Sequence, residues 1–141
     1  MRIGTIYRHA AMYADPDTGE LLPKFFVVLA ETEGRDFVVR LLTSRAHGRP
    51  EMPPCYHGNP YPSFYLGMLG GPLTAKSWVD LRGFDDLDAV EVSRLIQTGV
   101  ISEAGMLPNE TLTELLECVA GAEDTTRLQE RAIRDCLAGM R

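Results

Sequence analysis

KFFVVLAETEGRDFVVRLLTS, residues 24–44, decides the fold. KFFVVLAE (24–31) and DFVVRLLTS (36–44) are aromatic and β-branched runs, and ETEGRD (31–36) between them is polar and contains a glycine. Such side chains fit a pleated, half-buried surface, and two such runs joined by a short Gly-containing turn read as an antiparallel hairpin. Upstream, IGTIYRH (3–9) is a third short strand, followed by a turn rich in Asp, Pro and Gly in ADPDTGELLP (14–23). Downstream, six of the nine prolines (Pro50, Pro53, Pro54, Pro60, Pro62 and Pro72) fall within residues 45–72. Proline lacks a ladder donor and fixes φ, so this span is not central sheet throughout. SFYLG (63–67) fits a brief strand inside it, and AKSWVDLRG (75–83) another after it.

Past Gly83 the period changes. DLDAVEVSRLIQTG (86–99) sets Leu87, Val90, Leu95 and Ile96 on one side and ends at Gly99, a helix stop. TLTELLECVAG (111–121) repeats Leu112, Leu115, Leu116 and Val119 at helical spacing, with Thr111 and Glu114 spaced as a capping box. EDTTRLQERAIRDCLAGM (123–140) places Leu128, Ala132, Cys136 and Leu137 inward and Arg127, Glu130, Arg131 and Arg134 outward. The expectation is one α+β domain over 1–141, with a small curled antiparallel β-barrel in 1–83 and a mostly helical part in 84–141.

The net charge of -6 argues against the broad basic face of a nonspecific nucleic-acid binder. That charge is uneven. Residues 1–82 hold nine Lys and Arg against eight acids, whereas residues 83–141 hold five arginines against twelve acids. Cys55, Cys118 and Cys136 are an odd number at spacings that match no zinc or redox pattern, so three reduced thiols in a cytoplasmic protein are expected. No apolar run has the length of a membrane span.

The Gly4–Tyr7 strand, the Pro16–Gly19 loop, KFFVVLA and LLTSR, followed by SWVDLRGFDDLD and TLTELLECV, resemble the MazF/PemK family of toxin endoribonucleases. The resemblance touches elements over roughly residues 3–121. It implies an SH3-like barrel, of the kind shared by MazF, PemK and CcdB, that forms a homodimer. It also implies metal-free, cofactor-free cleavage of single-stranded RNA and a cognate antitoxin as protein partner. In the family an Arg heading the second strand and a Thr ending the third lie at the cleavage site. Lys24 and Thr43 take those places here, and Lys24-Phe25 replaces the family's Arg-Pro.

Cleavage through the 2′-hydroxyl needs positive charge at the phosphate and groups that take and return protons. Lys24 supplies charge, Thr43 a hydrogen bond, and His57 or His47 a proton acceptor near neutral pH. Arg45 and Arg82, with Arg40 and Arg49, supply phosphate contacts if they converge. Trp78, with Tyr56, Tyr61, Phe64 and Tyr65, offers faces on which unpaired bases stack. Each has a plainer reading: a strand-edge lysine is ordinarily a solvated charge, a strand-end threonine ordinarily packs, and loop aromatics cover their own loop. His47, Cys55 and His57, with Cys118 or Cys136, form no diagnostic metal spacing, and the reading is no metal. Cys55 and His57 are not expected to face each other as nucleophile and base. The alternative to an enzyme is the same barrel without catalysis, a module that binds a protein partner.

Overall fold

The computed structural model describes residues 1–140. It is an α+β arrangement of one seven-stranded antiparallel sheet and three helices. The strands are β1 (Thr5–Ala14), β2 (Leu21–Glu31), β3 (Phe37–Thr43), β4 (Cys55–Tyr56), β5 (Ser63–Gly67), β6 (Ser77–Asp80) and β7 (Ile101–Met106). The helices are α1 (Ala89–Gln97), α2 (Asn109–Ala120) and α3 (Arg127–Met140), and the strand order is β4-β5-β6-β3-β2-β1-β7.

The expected hairpin is β2–β3, with Phe26 opposite Leu41 and Val28 opposite Val39. Its turn is tied by Thr32 N–H to Asp36 O at 2.8 Å and Arg35 N–H to Thr32 O at 2.9 Å. The sheet does not close into the expected barrel. β4 is only two residues long, with Pro53 and Pro54 before it and Pro60 and Pro62 after it, so it lacks the donors to pair onward. The far edge is β7, a strand in the part expected to be mostly helical. It pairs with β1 from Thr5 opposite Met106 to His9 opposite Ile101.

Alternation along β2 and β3 gives the sheet two apolar faces. Val27, Leu29, Val38 and Leu42 pack with Phe64, Val79 and Leu81 under Leu115, Leu116 and Val119 of α2 and Ile133 and Leu137 of α3. Phe26, Val28, Phe37 and Val39 form the opposite cluster with Tyr7 and Ile101, capped by Phe84, Leu87, Ala89 and Leu95. Gly4 lets α2 approach: at φ +86° it takes a backbone that side chains disfavour, and a Cβ there would lie 2.7 Å from Leu112 Cδ2.

Helix ends and faces differ from the sequence reading in three places. Asp88 caps α1 through Val90 N–H and Glu91 N–H, at 2.8 and 2.9 Å, and Val92 rather than Val90 is buried. α2 starts at Asn109 behind Pro108, so Thr111 lies inside the first turn and the expected capping box does not form. In α3, Leu128 is 71% exposed and Gln129 is buried in its place. The cause is Arg40, whose side chain is 0% exposed on the helix-covered face of β3.

Arg40 donates to Val39 O at 2.8 Å, Gln129 Oε1 at 3.0 Å and Thr125 Oγ1 at 3.5 Å. Gln129 in turn donates to Asp86 Oδ1 at 2.8 Å and Phe84 O at 3.3 Å. Burial pulls the guanidinium below its ordinary pKa, and Asp86, Asp124 and Asp80 oppose the shift. Among the described residues no helix is long and apolar enough to cross a membrane.

Gln129→Leu roughly keeps the volume and takes away the guanidinium's shorter side-chain acceptor, leaving Thr125 Oγ1 at 3.5 Å, together with the tie to Asp86. A loss of about 2–4 kcal/mol is expected from urea unfolding. A change within about 0.5 kcal/mol would show that Arg40 does not rely on Gln129.

Candidate functional site

Because Arg40 and Leu42 face the helices, Leu41 and Thr43 face the other way. Lys24 and Thr43 lie two residues beyond the Phe26–Leu41 pair, at the same end and on the same face. On the neighbouring strand Trp78 pairs with Thr43 and Val79 with Leu42, which brings Asp80 to that face as well. β1 contributes Met12 and Tyr13, because a bulge between His9 and Tyr13, with Ala11 N–H on His9 Nδ1 at 3.1 Å, swings its end inward.

After Thr43 the chain curls back over this end of the sheet. Arg45 N–H bonds Thr43 Oγ1 at 3.2 Å, Arg49 N–H bonds Ala46 O at 2.6 Å, and Arg49 Nη1 reaches Arg45 O at 2.7 Å. The turn holds His47 at φ 43°, a left-handed backbone that costs a non-glycine residue about 1–2 kcal/mol. Trp78 Nε1 anchors the exit of the curl by donating to Pro50 O at 3.0 Å.

The result is a groove of about 490 Å³ lined by Lys24, Thr43, Arg45, His47, Arg49, Tyr61, Asp80 and Arg82. A second hollow of about 250 Å³, edged by Ser44, Thr74 and Ser77, shares Lys24, Thr43 and Arg45 with it. The larger groove is the more strongly charged of the two. Tyr61 is the hub of its far side, with Arg49 Cζ 4.8 Å and Arg82 Cζ 5.3 Å from the ring centroid and the His47 ring at 5.5 Å.

Four fixed cations line the groove against one carboxylate, a local balance of +3 in a protein of net charge -6. Asp80 is committed to Arg82, which reaches it through Nε at 3.0 and 3.1 Å and through Nη2 at 2.7 Å. Burial alone would raise the Asp80 carboxyl, but those bonds and the charges of Arg82 and Arg49 outweigh it and hold it low. Burial lowers Lys24; Asp80 opposes this, and repulsion from Arg45, Arg49 and Arg82 adds to it. Among the described residues no hydrogen bond or ion pair ends on the Lys24 ammonium, and Arg49 Nε is buried without a partner. The groove therefore has charge and donors to spare, which is the condition for holding an anion.

The structure brings together Lys24, Thr43, Arg45, His47, Arg49, Tyr61 and Arg82 of the residues singled out from sequence. His57 lies elsewhere: its Nε2 is 2.9 Å from Cys118 O, beside a disulfide joining Cys55 to Cys118. That bond corrects the expectation of three free thiols. The two cysteines are 63 residues apart, a separation that no local spacing reveals, and Cys136 alone remains a thiol. Cys55 and His57 do face each other, with Sγ 3.4 Å from Nε2, against the sequence reading.

Trp78 is 3% exposed beneath Tyr65, whose ring centroid is 5.2 Å away, so it offers no face to a base. Phe64 is likewise buried, and Arg40 faces the helices rather than a phosphate. The sequence reading passed over Asp80, Met12 and Tyr13. The Asp80–Arg82 spacing on one face of a strand was the available signal for the first, and the β1 bulge left none for the others. Compared with protein-family models, curated proteins and solved structures, the chain matches none.

Lys24 carries a testable sign. A lysine whose pKa is lower in the folded protein than in the unfolded chain makes stability rise with pH through the folded value toward about 10.4. Lys24→Met should be at least as stable as wild type in urea at pH 7, and wild type should close any gap as pH approaches about 10.4. A variant weaker by more than about 1 kcal/mol at pH 7 would mean that Lys24 serves the fold instead.

Proposed function

We propose that this chain is a MazF/PemK-like protein whose cationic groove binds single-stranded RNA and cleaves it without a metal. One observation carries the reading: Lys24, Arg45, Arg49 and Arg82 converge beside Thr43 and His47 in one groove. A phosphodiester backbone is a polyanion, and a groove with +3 local charge fits it better than a small neutral ligand. Tyr61, braced by Arg49 and Arg82, is the aromatic face at which an unpaired base would meet the groove.

In the cleavage step the ribose 2′-oxygen loses its proton to His47 and attacks the adjacent phosphorus. A 2′,3′-cyclic phosphate forms, the bond to the 5′-oxygen breaks, and that oxygen takes a proton from water while His47 returns its own to the solvent. Lys24 and Arg45 stabilise the charge that develops on the nonbridging oxygens, and Thr43 Oγ1 donates to one of them. Lys24 is a point donor where Arg would give a bidentate fork, so its hold on the phosphate is less directional. The SH3-like relationship, the homodimer and a protein antitoxin belong to the same proposal. The antiparallel sheet followed by helices agrees with the first of these in element order, and the open sheet edge departs from it.

Lys24-Phe25, in place of Arg-Pro, favours one rival, a binder of the same ligand or of a protein partner that does not cut. Incubation with end-labelled unpaired RNA in EDTA separates the two. Wild type should nick the strand to cyclic-phosphate ends, with Lys24→Ala slower by about 10²-fold. RNA affinity should fall with salt with a log–log slope of about -2 to -3, the value for three or four phosphate contacts on a single strand. Binding without nicking supports the rival, and the absence of both binding and nicking refutes the groove as an RNA site.

A further inference from the structure

On the helix side of the loop that builds the groove, Cys55 Sγ, Cys118 Sγ and His57 Nε2 all lie within 4.8 Å of one another. Two come from the edge strand β4 and the residue just after it, and the third from the last turn of α2. We propose that, once the Cys55–Cys118 disulfide is reduced, these three side chains bind one zinc ion, with water in the fourth position. The inference is independent of the RNA reading.

The geometry already approaches what zinc requires. His57 Nε2 stands 3.4 Å from Cys55 Sγ and 3.6 Å from Cys118 Sγ. In a tetrahedral site with Zn–S about 2.3 Å and Zn–N about 2.0–2.1 Å, the nitrogen–sulfur edge is about 3.5–3.6 Å. The imidazole is thus placed as a third ligand before any metal arrives. The sulfur–sulfur edge of such a site is about 3.8 Å, which side-chain rotation supplies once the bond is broken, because the two Cα atoms stand 5.8 Å apart. Two thiolates and an imidazole are a donor set suited to zinc and poorly suited to magnesium or calcium.

The electrostatics point the same way. Cys118 lies at the carbonyl end of α2, where the aligned peptide dipoles leave partial negative charge, and that last turn holds no basic residue. Two thiolates in that position repel both each other and the helix end. A divalent cation satisfies all three.

The steps balance. A reductant gives two electrons to the disulfide, the sulfurs take up two protons, and two thiols result. Zinc then displaces those two protons, and His57 presents Nε2 as a lone pair with its proton on Nδ1, giving up the contact with Cys118 O. A disulfide oxidant reverses the sequence and releases the ion. In both states the loop after β4 stays tied to α2, by a covalent bond in one and by the metal in the other.

Cobalt(II) titration tests this, because thiolate ligation gives charge-transfer absorption and tetrahedral geometry gives intense d–d bands. Protein reduced with a phosphine and handled without oxygen should take up one cobalt per chain, and zinc should displace it. Oxidised protein and Cys55→Ser should show no thiolate band, His57→Ala should bind at least about 10-fold more weakly, and Cys136→Ser should behave as wild type. Should the reduced chain unfold without metal, zinc that restores its circular dichroism supports the site equally. Reduced wild type that gives no cobalt spectrum and no zinc-dependent refolding overturns the proposal, as does equal uptake by Cys55→Ser.

Discussion

The guanidinium of Arg40, buried between β3 and α3, is the constraint on which the rest of the structure hangs. Taking such a charge out of water costs several kcal/mol, which only well-placed acceptors offset. Val39 O and Gln129 Oε1 accept from its two terminal nitrogens, Nε is left without a partner, and Gln129 extends the connection to Asp86 and Phe84 in the segment before α1. This sets the register of β3. Because strand side chains alternate, a slip of one residue would expose Arg40 on the opposite face and drive Thr43 under the helices. The positions of Lys24, Thr43 and Asp80 around one groove therefore follow from a charge that never touches it.

The groove itself inverts the character of the molecule. An excess of acids sits in residues 83–141, whereas Lys24, Arg45, Arg49 and Arg82 converge at one end of the sheet with a single carboxylate among them. Net charge describes the field at a distance; the field inside a cleft is set by the few charges lining its walls. Asp80 has a structural task there, since its bond to Arg82 keeps that guanidinium beside Tyr61. Among the described residues Lys24 has no such hydrogen-bonded partner; burial lowers its pKa, Asp80 opposes this, and the repulsion from Arg45, Arg49 and Arg82 that adds to it is what a bound anion would offset.

Much of the fold was legible because the β2–β3 hairpin, α2 and most strand positions are written in local alternation and helical spacing. The strand–turn–strand reading of residues 24–44 survives in both strands, and Gly99 does follow the end of α1. What was not legible depends on distant partners. Gln129 displaces Leu128 from the core because Arg40, on another element, needs its amide. Ile101–Met106 carries too little apolar pattern to read as a strand, and becomes one because β1 leaves an edge for it. The Cys55–Cys118 bond spans 63 residues. In the site, Lys24, Thr43 and Arg45 were visible as residue types at strand ends. The displacement of His57 from the groove and the burial of Trp78 came from packing that sequence spacing does not encode.

The proposed site for an unpaired nucleic-acid backbone is the cationic groove and no other surface. Amide and side-chain NMR of the labelled protein, titrated with a short unpaired oligoribonucleotide carrying 2′-deoxy blocks against cleavage, tests this most directly. Shifts confined to Lys24, Thr43, Arg45, His47, Arg49, Tyr61 and Arg82, weakening as salt rises, are the predicted result. Shifts centred on α1, α2 or α3, or none at all at low salt, would contradict it.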